Sequence, residues 1–367
     1  MNSNSIGKAL TLTCFGESHG VCVGAVIDGC PAGLPLAEKD IQEQVDKRRP
    51  GFSAISTPRR EEDRVEILSG VYEGHTTGAP ICIIVRNRDV KSEDYEQARD
   101  KPRPGHADYT AHIKYGGYND YRGGGRFSGR ITVAYVMAGA VAKKLLSLLG
   151  AEVLAHTVQI GEVRVSREVL YDEIRRNVYQ NSVRCAVPDT AALMEKKTLK
   201  AAEEGDSVGG IVEGVALNVP VGLGEPIFDS LDSEIARMMF NIPAVKGVEF
   251  GAGFRSASLR GSEDNDPYTI RDGKIITLSN NAGGVLGGLS TGMPIVVRVA
   301  FKPTSSISKR QKTVDLSRMK ETEIELAGRH DPCFVPRAVP VVESCLAFVV
   351  ADHAIRWGRI PCVLEGR

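Results

Sequence analysis

Four segments of the chain combine Gly or Pro with Arg, Lys and His. Asp46-Lys47-Arg48-Arg49-Pro50-Gly51 ends an expected helix, and Arg103-Pro104-Gly105-His106-Ala107-Asp108 follows an expected strand. Tyr121-Arg122-Gly123-Gly124-Gly125-Arg126-Phe127-Ser128-Gly129-Arg130 leads into one long apolar segment, and Gly328-Arg329-His330-Asp331-Pro332-Cys333, with Arg337 close behind, leads into another. Lys302-Pro303-Thr304-Ser305-Ser306 adds a cation and three hydroxyls. Arg grips phosphate and carboxylate in a bidentate fork. A Gly-rich turn before a helix aims backbone N–H groups and the helix dipole at an anion. Any one of these Arg residues reads as a solvated loop charge. The set, placed before two helices, reads as a site for a small polyanion carrying phosphate and carboxylates.

His19 and His106 are the acid–base candidates, since each sits in a polar turn. A satisfied structural histidine is the alternative for either. Ser18 lies beside His19, but neighbours on a strand end point apart, so a nucleophile–base pair is not expected. No His-x-x-x-His pair or carboxylate cluster implies a metal. There is no P-loop, and no G-x-G-x-x-G between an expected strand and helix. A nucleotide or flavin would have to be held by some other fold.

The elements that carry these loops follow from composition and pattern. Of 367 residues, 42% are hydrophobic and 25% charged, which excludes a disordered chain. Lys plus Arg and Asp plus Glu both number 46, so sustained non-specific binding to nucleic acid or an anionic membrane is not expected. The 8 Cys form no C-x-x-C pair, which argues against a zinc ribbon, and reduced thiols in the cytosol are the default expectation. Cys14, Cys22 and Cys82 read as small buried hydrophobes. The first ten residues show no apolar signal core, and the apolar run Val133 to Ala142 is too short for a bilayer.

The two halves of the chain match each other. Gly16-Glu17-Ser18-His19-Gly20 runs to Pro31-Ala32-Gly33-Leu34, and Gly205-Asp206-Ser207-Val208-Gly209 runs to Pro220-Val221-Gly222-Leu223 with the same spacing. Gly70 to Ile81 matches Gly284 to Ile295, and Arg122 with Arg130 matches Arg329 with Arg337. Three matches in one order point to a duplication. Strands are expected over Lys8–Phe15, Val21–Asp28, Val65–Val71, Ile81–Val85, Ile211–Val219 and Ile295–Phe301. Helices are expected over Ala37–Arg48, Ile131–Leu149, Glu168–Tyr179, Thr190–Glu203, Ser230–Phe240 and Val339–Trp357. Ile131–Leu149 and Val339–Trp357 are apolar nearly all round, so both should be interior. Gln311 to Leu326 reads as a polar surface segment. The expected architecture is α+β: a β-α-β sandwich with two buried central helices and a pseudo-twofold duplication. It would be one domain over 1–367, with halves about 1–165 and 205–360 and a helical insert about 167–204.

These motifs resemble the chorismate synthase family. The Gly16–Gly20 segment continuing to Pro31 resembles its first signature, Gly124–Arg130 with Thr132 its second, and Arg329–Cys333 with Pro336–Pro340 and Glu343 its third. Arg103–Tyr109 and Lys302–Ser306 are also similar to family motifs, so the resemblance runs from about Ile6 to Trp357. It implies a homotetramer that uses reduced FMN to remove phosphate from 5-enolpyruvylshikimate 3-phosphate (EPSP), a 1,4-elimination giving chorismate. NADPH, or a separate flavin reductase, would keep the flavin reduced. Carried over, Arg48, Arg49, Arg130 and Arg337 would grip substrate, and Arg48 would also face NADP. His106 would protonate the departing phosphate and His19 the flavin near N1, while Ser18 and Asp331 would tune flavin N5. Arg126, Phe127, Ser128, Ala244, Gly287, Lys302, Pro303, Thr304, Ser305, Ser306 and Arg329 would line the flavin site.

Three positions depart from the family pattern. Ala54 stands where many members carry an Arg linked to NADPH, Ile131 where Glu is common, and Pro243 where Asn is frequent. Two other classes compete. One is an FMN-dependent oxidoreductase acting on a small phosphorylated carboxylate. The other is an RNA-binding module suggested by Arg122-Gly-Gly-Gly-Arg126, against which stand the zero net charge and 6% aromatic content.

Overall fold

The computed structural model describes residues 3–49, 62–88, 99–326 and 331–364. The first half builds strands β1 (Ser5–Ile6), β2 (Thr11–Gly16) and β3 (Cys22–Asp28), helix α1 (Glu38–Arg48), strands β4 (Val65–Ile67) and β5 (Ile81–Arg86), and helices α2 (Asp108–Lys114) and α3 (Thr132–Ser147). Then come β6 (Glu152–Ile160), β7 (Val163–Arg164), α4 (Tyr171–Asn177) and α5 (Pro188–Glu203). The second half adds β8 (Gly210–Leu217), α6 (Leu231–Phe240), β9 (Val245–Phe250), β10 (Ile295–Phe301), the hairpin β11 (Gln311–Asp315) and β12 (Lys320–Ile324), and α7 (Val335–Arg356).

Two five-stranded antiparallel sheets form, in the orders β1-β2-β3-β5-β4 and β9-β10-β8-β6-β7. Their strands alternate as half-buried strands must. In β10, Ile295, Val297, Val299 and Phe301 point inward, and in β5, Ile81, Ile83 and Val85 do. Helix α3 packs on β2, β3 and β5, helix α7 packs on β6 and β8, and the two helices pack on each other. This placement explains why neither helix has a polar face. Every residue of α7 from Val335 to Ala354 is buried except Arg337. By length and composition α7 is, among the described residues, the one helix able to cross a membrane, yet it is buried inside the protein. Helix α1 buries Ile41, Val45 and Arg48 on one face, so its apolar stripe ends in an arginine.

Several boundaries differ from the sequence expectation. Helix α7 starts at Val335, not Val339, so Arg337 stands in its first turn. Pro336 falls where a helix needs no N–H partner, and Pro340 is carried inside the helix. Strand β2 starts at Thr11, not Lys8. The backbone N–H groups of Ala9 and Leu10 instead donate to Asp352 Oδ1 at 2.7 and 2.8 Å. Helix α4 spans Tyr171–Asn177 and α5 begins at Pro188. Strands β6 and β9 were not expected. Gln311–Leu326 forms the β11–β12 hairpin, and Thr313 Oγ1 donates to Pro102 O at 2.5 Å. Cys14 is buried, but Cys22 and Cys82 are half-buried.

Helices α3 and α7 meet at Gly139, where a Cβ would lie 2.2 Å from Ser344 Cβ and 2.5 Å from its Cα. Gly139→Ala should therefore destabilise the fold. Overpacking costs about 1–3 kcal/mol, against a gain of at most about 1 kcal/mol in helix propensity. Urea midpoints for Gly139→Ala and for Gly139→Ala with Ser344→Gly check this: the second change should restore most of the loss. An unshifted midpoint in the single variant would mean that the backbones do not approach so closely.

Candidate active site

The loops singled out in the sequence gather where α3 and α7 begin. After β2 the chain turns through Glu17–Gly20, and Asn87, just past β5, holds this turn by donating to Glu17 O at 2.9 Å and Gly20 O at 2.8 Å. The turn carries Ser18 and His19, each 5% exposed. Opposite lie Gly123, Gly124 and Gly125, with φ of 58°, 82° and 50°. Side chains are disfavoured in that left-handed region, and here they would also collide. A Cβ on Gly123 would sit 2.5 Å from His19 Nε2 and 2.8 Å from Ser18 Oγ, and one on Gly124 would sit 3.2 Å from His106 Nε2. A strip of bare backbone thus lies between the two histidine rings. Ser18 and His19 both face Gly123 and do not point apart as expected, because they occupy a turn and strand alternation does not apply. Ser18 Oγ is buried with no hydrogen-bond partner, so no nucleophile–base pair forms.

Beneath this strip lies a charged cluster. Arg130 pairs with Asp63 and donates from Nε to Asn87 Oδ1 at 3.0 Å. Arg48 donates to Thr132 Oγ1 at 2.9 Å, to Gly129 O at 2.8 Å and to Asp63 Oδ2 at 3.4 Å. Arg337 pairs with Asp331, whose backbone carbonyl accepts from Thr304 Oγ1 at 2.8 Å. Burial would push the Asp63 carboxyl up, but Arg130 and Arg48 outweigh it and hold it below the usual carboxylate range. Burial and then the neighbouring Arg337 press down on the Arg48 charge.

A cavity of about 580 Å³ opens above the cluster. Of the residues named from sequence, His106, Asp331, Arg130 and Arg337 line it, as do Arg126, Phe127, Ser128 and Ala244. Lys302, Thr304, Ser305 and Ser306 complete the set. Ser18 and His19 stand behind Gly123, which itself lines the cavity. Arg48 is 1% exposed and lies off the cavity wall, bracing the start of α3. Arg49 pairs with Asp46 at 3.1 Å on the surface. Pro303 is exposed, Gly287 is exposed at the tip of a hairpin, and neither lines the cavity. Arg329 and Ala54 lie outside the described residues. Two other histidines have structural partners: His156 meets Glu213 at 3.3 Å and His353 meets Glu234 at 2.7 Å.

Other residues joined the site only on folding. Arg103 binds Asp108 through Nε at 2.7 Å and reaches Ser306 Oγ at 3.1 Å, and Asp108 Oδ1 lies 2.6 Å from His106 Nδ1. Burial lowers the His106 pKa, the hydrogen bond to Asp108 opposes it, and Arg103 adds to the lowering. Burial and Lys246 lower that of Lys302, and both lysines line the cavity. Arg103 and Asp108 were legible as neighbours of His106 in one motif. Asp63, Asn87 and Lys246 carried no local signal. Ala244 holds φ of 74° at the cavity wall, a conformation uncommon for a residue with a side chain. Among the described residues no cluster of His, Cys, Asp or Glu suits a metal.

A family model described as Chorismate synthase matches residues 10–355. A chorismate synthase of Dehalococcoides mccartyi is 56% identical over 365 residues, covering 99% of this chain and 100% of the relative. One from Korarchaeum cryptofilum is 58% identical over 356 residues, covering 97% and 98%. A crystal structure of chorismate synthase superposes with a TM-score of 0.76 at 33% identity, covering 96% of this chain and 93% of the other. With the cavity and its loops all inside the matched region, the chain belongs to the chorismate synthase family.

Proposed function

We propose that the cavity catalyses the 1,4-elimination of phosphate from EPSP to give chorismate, with reduced FMN bound beside the substrate. One observation carries this reading: a neutral protein gathers Arg130, Arg337, Lys302, Lys246 and His106 around one cavity. A substrate with one phosphate and two carboxylates matches that charge. The family uses reduced flavin, and the residues present suit one. The cavity is large enough for a cofactor-sized ligand. Two lysines and Arg126 offset anionic charge, the Phe127 ring offers an apolar face, and Ser18 Oγ is an orphaned hydroxyl beside the Gly strip.

In this reading Arg130 and Arg337 bind the substrate anions, and their pairing with Asp63 and Asp331 fixes their forks in advance. His106 gives a proton from Nε2 to the phosphate oxygen as the C–O bond breaks. His19, across the Gly strip, holds a proton toward the flavin, and Ser18 and Asp331 contact it. Bound reduced FMN supplies an electron-rich ring that promotes phosphate loss and a nitrogen that takes the C6 proton, with no net redox change. Arg48 braces the loop that carries Arg130. The same reading makes the protein a cytosolic homotetramer whose flavin is kept reduced by NADPH or by a separate reductase. Free thiols at all eight Cys support the compartment, and exposed Tyr268, Ile270, Ile275 and Leu278 on one hairpin support self-association.

The finer architecture belongs to this proposal too: a β-α-β sandwich of two related halves, about 1–165 and 205–360, with the insert 167–204. Support comes from matching hydrogen bonds. Thr76 Oγ1 donates to Pro31 O at 2.6 Å and accepts from Leu34 N at 2.9 Å. Ser290 Oγ donates to Pro220 O at 2.6 Å and accepts from Leu223 N at 2.8 Å. The sheet orders β3-β5-β4 and β8-β10-β9 also correspond.

An anaerobic assay of EPSP with pre-reduced FMN tests the function. Chorismate and phosphate should form with no reductant consumed per turnover, whereas a net oxidoreductase would consume one equivalent. General-acid assistance is worth about 10²–10⁴-fold, so His106→Ala should lower turnover by about that factor while still binding reduced FMN. Normal turnover with lost flavin affinity would show that His106 serves the flavin. Gly123→Ala should displace His19 and cut turnover by about 10²-fold, as a misplacement of about 1 Å does. A fully active Gly123→Ala variant would remove the Gly strip from the mechanism.

A further inference from the structure

We infer that Asp108, locked by Arg103, is a positioning residue that decides which nitrogen of His106 carries the transferable proton. The inference rests on the reading of His106 as the proton donor. Asp108 Oδ1 lies 2.6 Å from His106 Nδ1, and an ionised carboxylate can only accept, so Nδ1 carries hydrogen. Arg103 Nη2 lies 3.1 Å from His106 Nδ1 and 3.3 Å from Nε2, so the guanidinium sits against both ring nitrogens and selects neither; its part is to hold Asp108. The acceptor-only carboxylate, at the shortest of these contacts, therefore selects the neutral tautomer with the proton on Nδ1 and a lone pair on Nε2.

The pair is rigid. Arg103 binds Asp108 through Nε to Oδ2 at 2.7 Å, Nη2 to Oδ1 at 2.8 Å and its backbone N–H to Oδ2 at 3.0 Å. Arg103 and Asp108 are both almost fully buried, and Arg103 Nη1 is anchored on Ser306. The charged groups facing His106 are Asp108 at the start of α2, Arg103 in the preceding turn, and Lys302 after β10, and the Gly124 backbone closes the remaining side. Burial pushes the Asp108 carboxyl up, but hydrogen bonds from Arg103 and His106 outweigh it and hold it well below the usual range. Asp108 thus stays ionised, while Arg103 cancels much of its pull on the ring.

The consequence is a proton that arrives with the substrate. His106 is held below its ordinary pKa, so in the free enzyme it is neutral at pH 7. The dianionic phosphate raises that pKa, and Nε2 takes a proton from water. In the elimination the Nε2–H bond breaks, its electron pair stays on nitrogen, and an O–H bond forms on the phosphate as the C–O bond breaks. The ring left behind is the tautomer that Asp108 already holds, so no tautomer exchange is needed before the next turnover.

Two measurements test this. Long-range ¹H–¹⁵N NMR on the wild-type holoenzyme should show His106 with hydrogen on Nδ1 and an unprotonated Nε2. A hydrogen on Nε2 in the neutral ring overturns the inference without any variant. Then Asp108→Asn in the holoenzyme with reduced FMN should lower kcat by about 10²-fold with little change in KM, since an amide can donate to Nδ1 and reverse the tautomer. Asp108→Glu should recover part of the loss. In a His106→Ala background the same Asp108→Asn change should cost nothing further, because residues acting through one group are not additive. A further loss there would mean a structural role for Asp108 and would sink the inference. A fully active His106→Ala enzyme would instead defeat the reading of His106 itself. A damaged His106→Ala enzyme beside an unaffected Asp108→Asn enzyme would defeat only the inference.

Discussion

Three guanidinium groups, of Arg48, Arg130 and Arg337, meet two carboxylates, of Asp63 and Asp331, beneath the cavity. Buried charge is tolerated only when it is paired and hydrogen-bonded. These groups find partners in backbone carbonyls, in Thr132 and in Asn87, and doing so fixes the path of the chain into both central helices. The excess of positive charge faces the cavity. An arriving anion therefore meets forks that are already oriented, which is the condition for binding energy to go into catalysis rather than into ordering side chains.

The second constraint is steric. Two histidines stand on either side of one strip of backbone, and only glycine lets that strip pass between them in a left-handed conformation. The strip leads straight into Ser128, whose hydroxyl accepts from Arg130 N at 3.3 Å, and then into α3. The placement of the rings and the placement of the arginine are thus set by the same dozen residues. The hairpin β11–β12 does comparable work from outside, since it holds Asp100 and Pro102 just ahead of Arg103.

Under the proposed duplication the two halves would share a scaffold but not a chemistry. Thr76 and Ser290 make the same pair of hydrogen bonds, yet Ser207 Oγ is satisfied by Thr304 O at 2.7 Å while its counterpart Ser18 is left without a partner beside the cavity. Val208 stands where the first half has His19. The first half keeps an unsatisfied hydroxyl and an imidazole, and the second half supplies Asp331, Arg337 and the lysine-bearing segment after β10.

Local pattern alone determined most elements and most of the loops that meet at the cavity; the Asn241–Lys246 stretch was not among them. Period-two and all-round apolar segments read directly as strands and interior helices, because burial imposes those patterns. Strand β6 escaped because it buries His156 and Thr157 among its apolar residues, and β9 because Gly and charged residues interrupt it. The start of α7 was hidden by Pro336 and Pro340, which read as breakers until a helix first turn is there to accept one. What the sequence could not assign was partnership. Asp63 is 67 residues from Arg130, Asn87 is 43 residues from it, and Ser306 is 203 residues from Arg103. Residue type says that a buried guanidinium needs an acceptor, but only the path of the folded chain decides which acceptor comes within 3 Å.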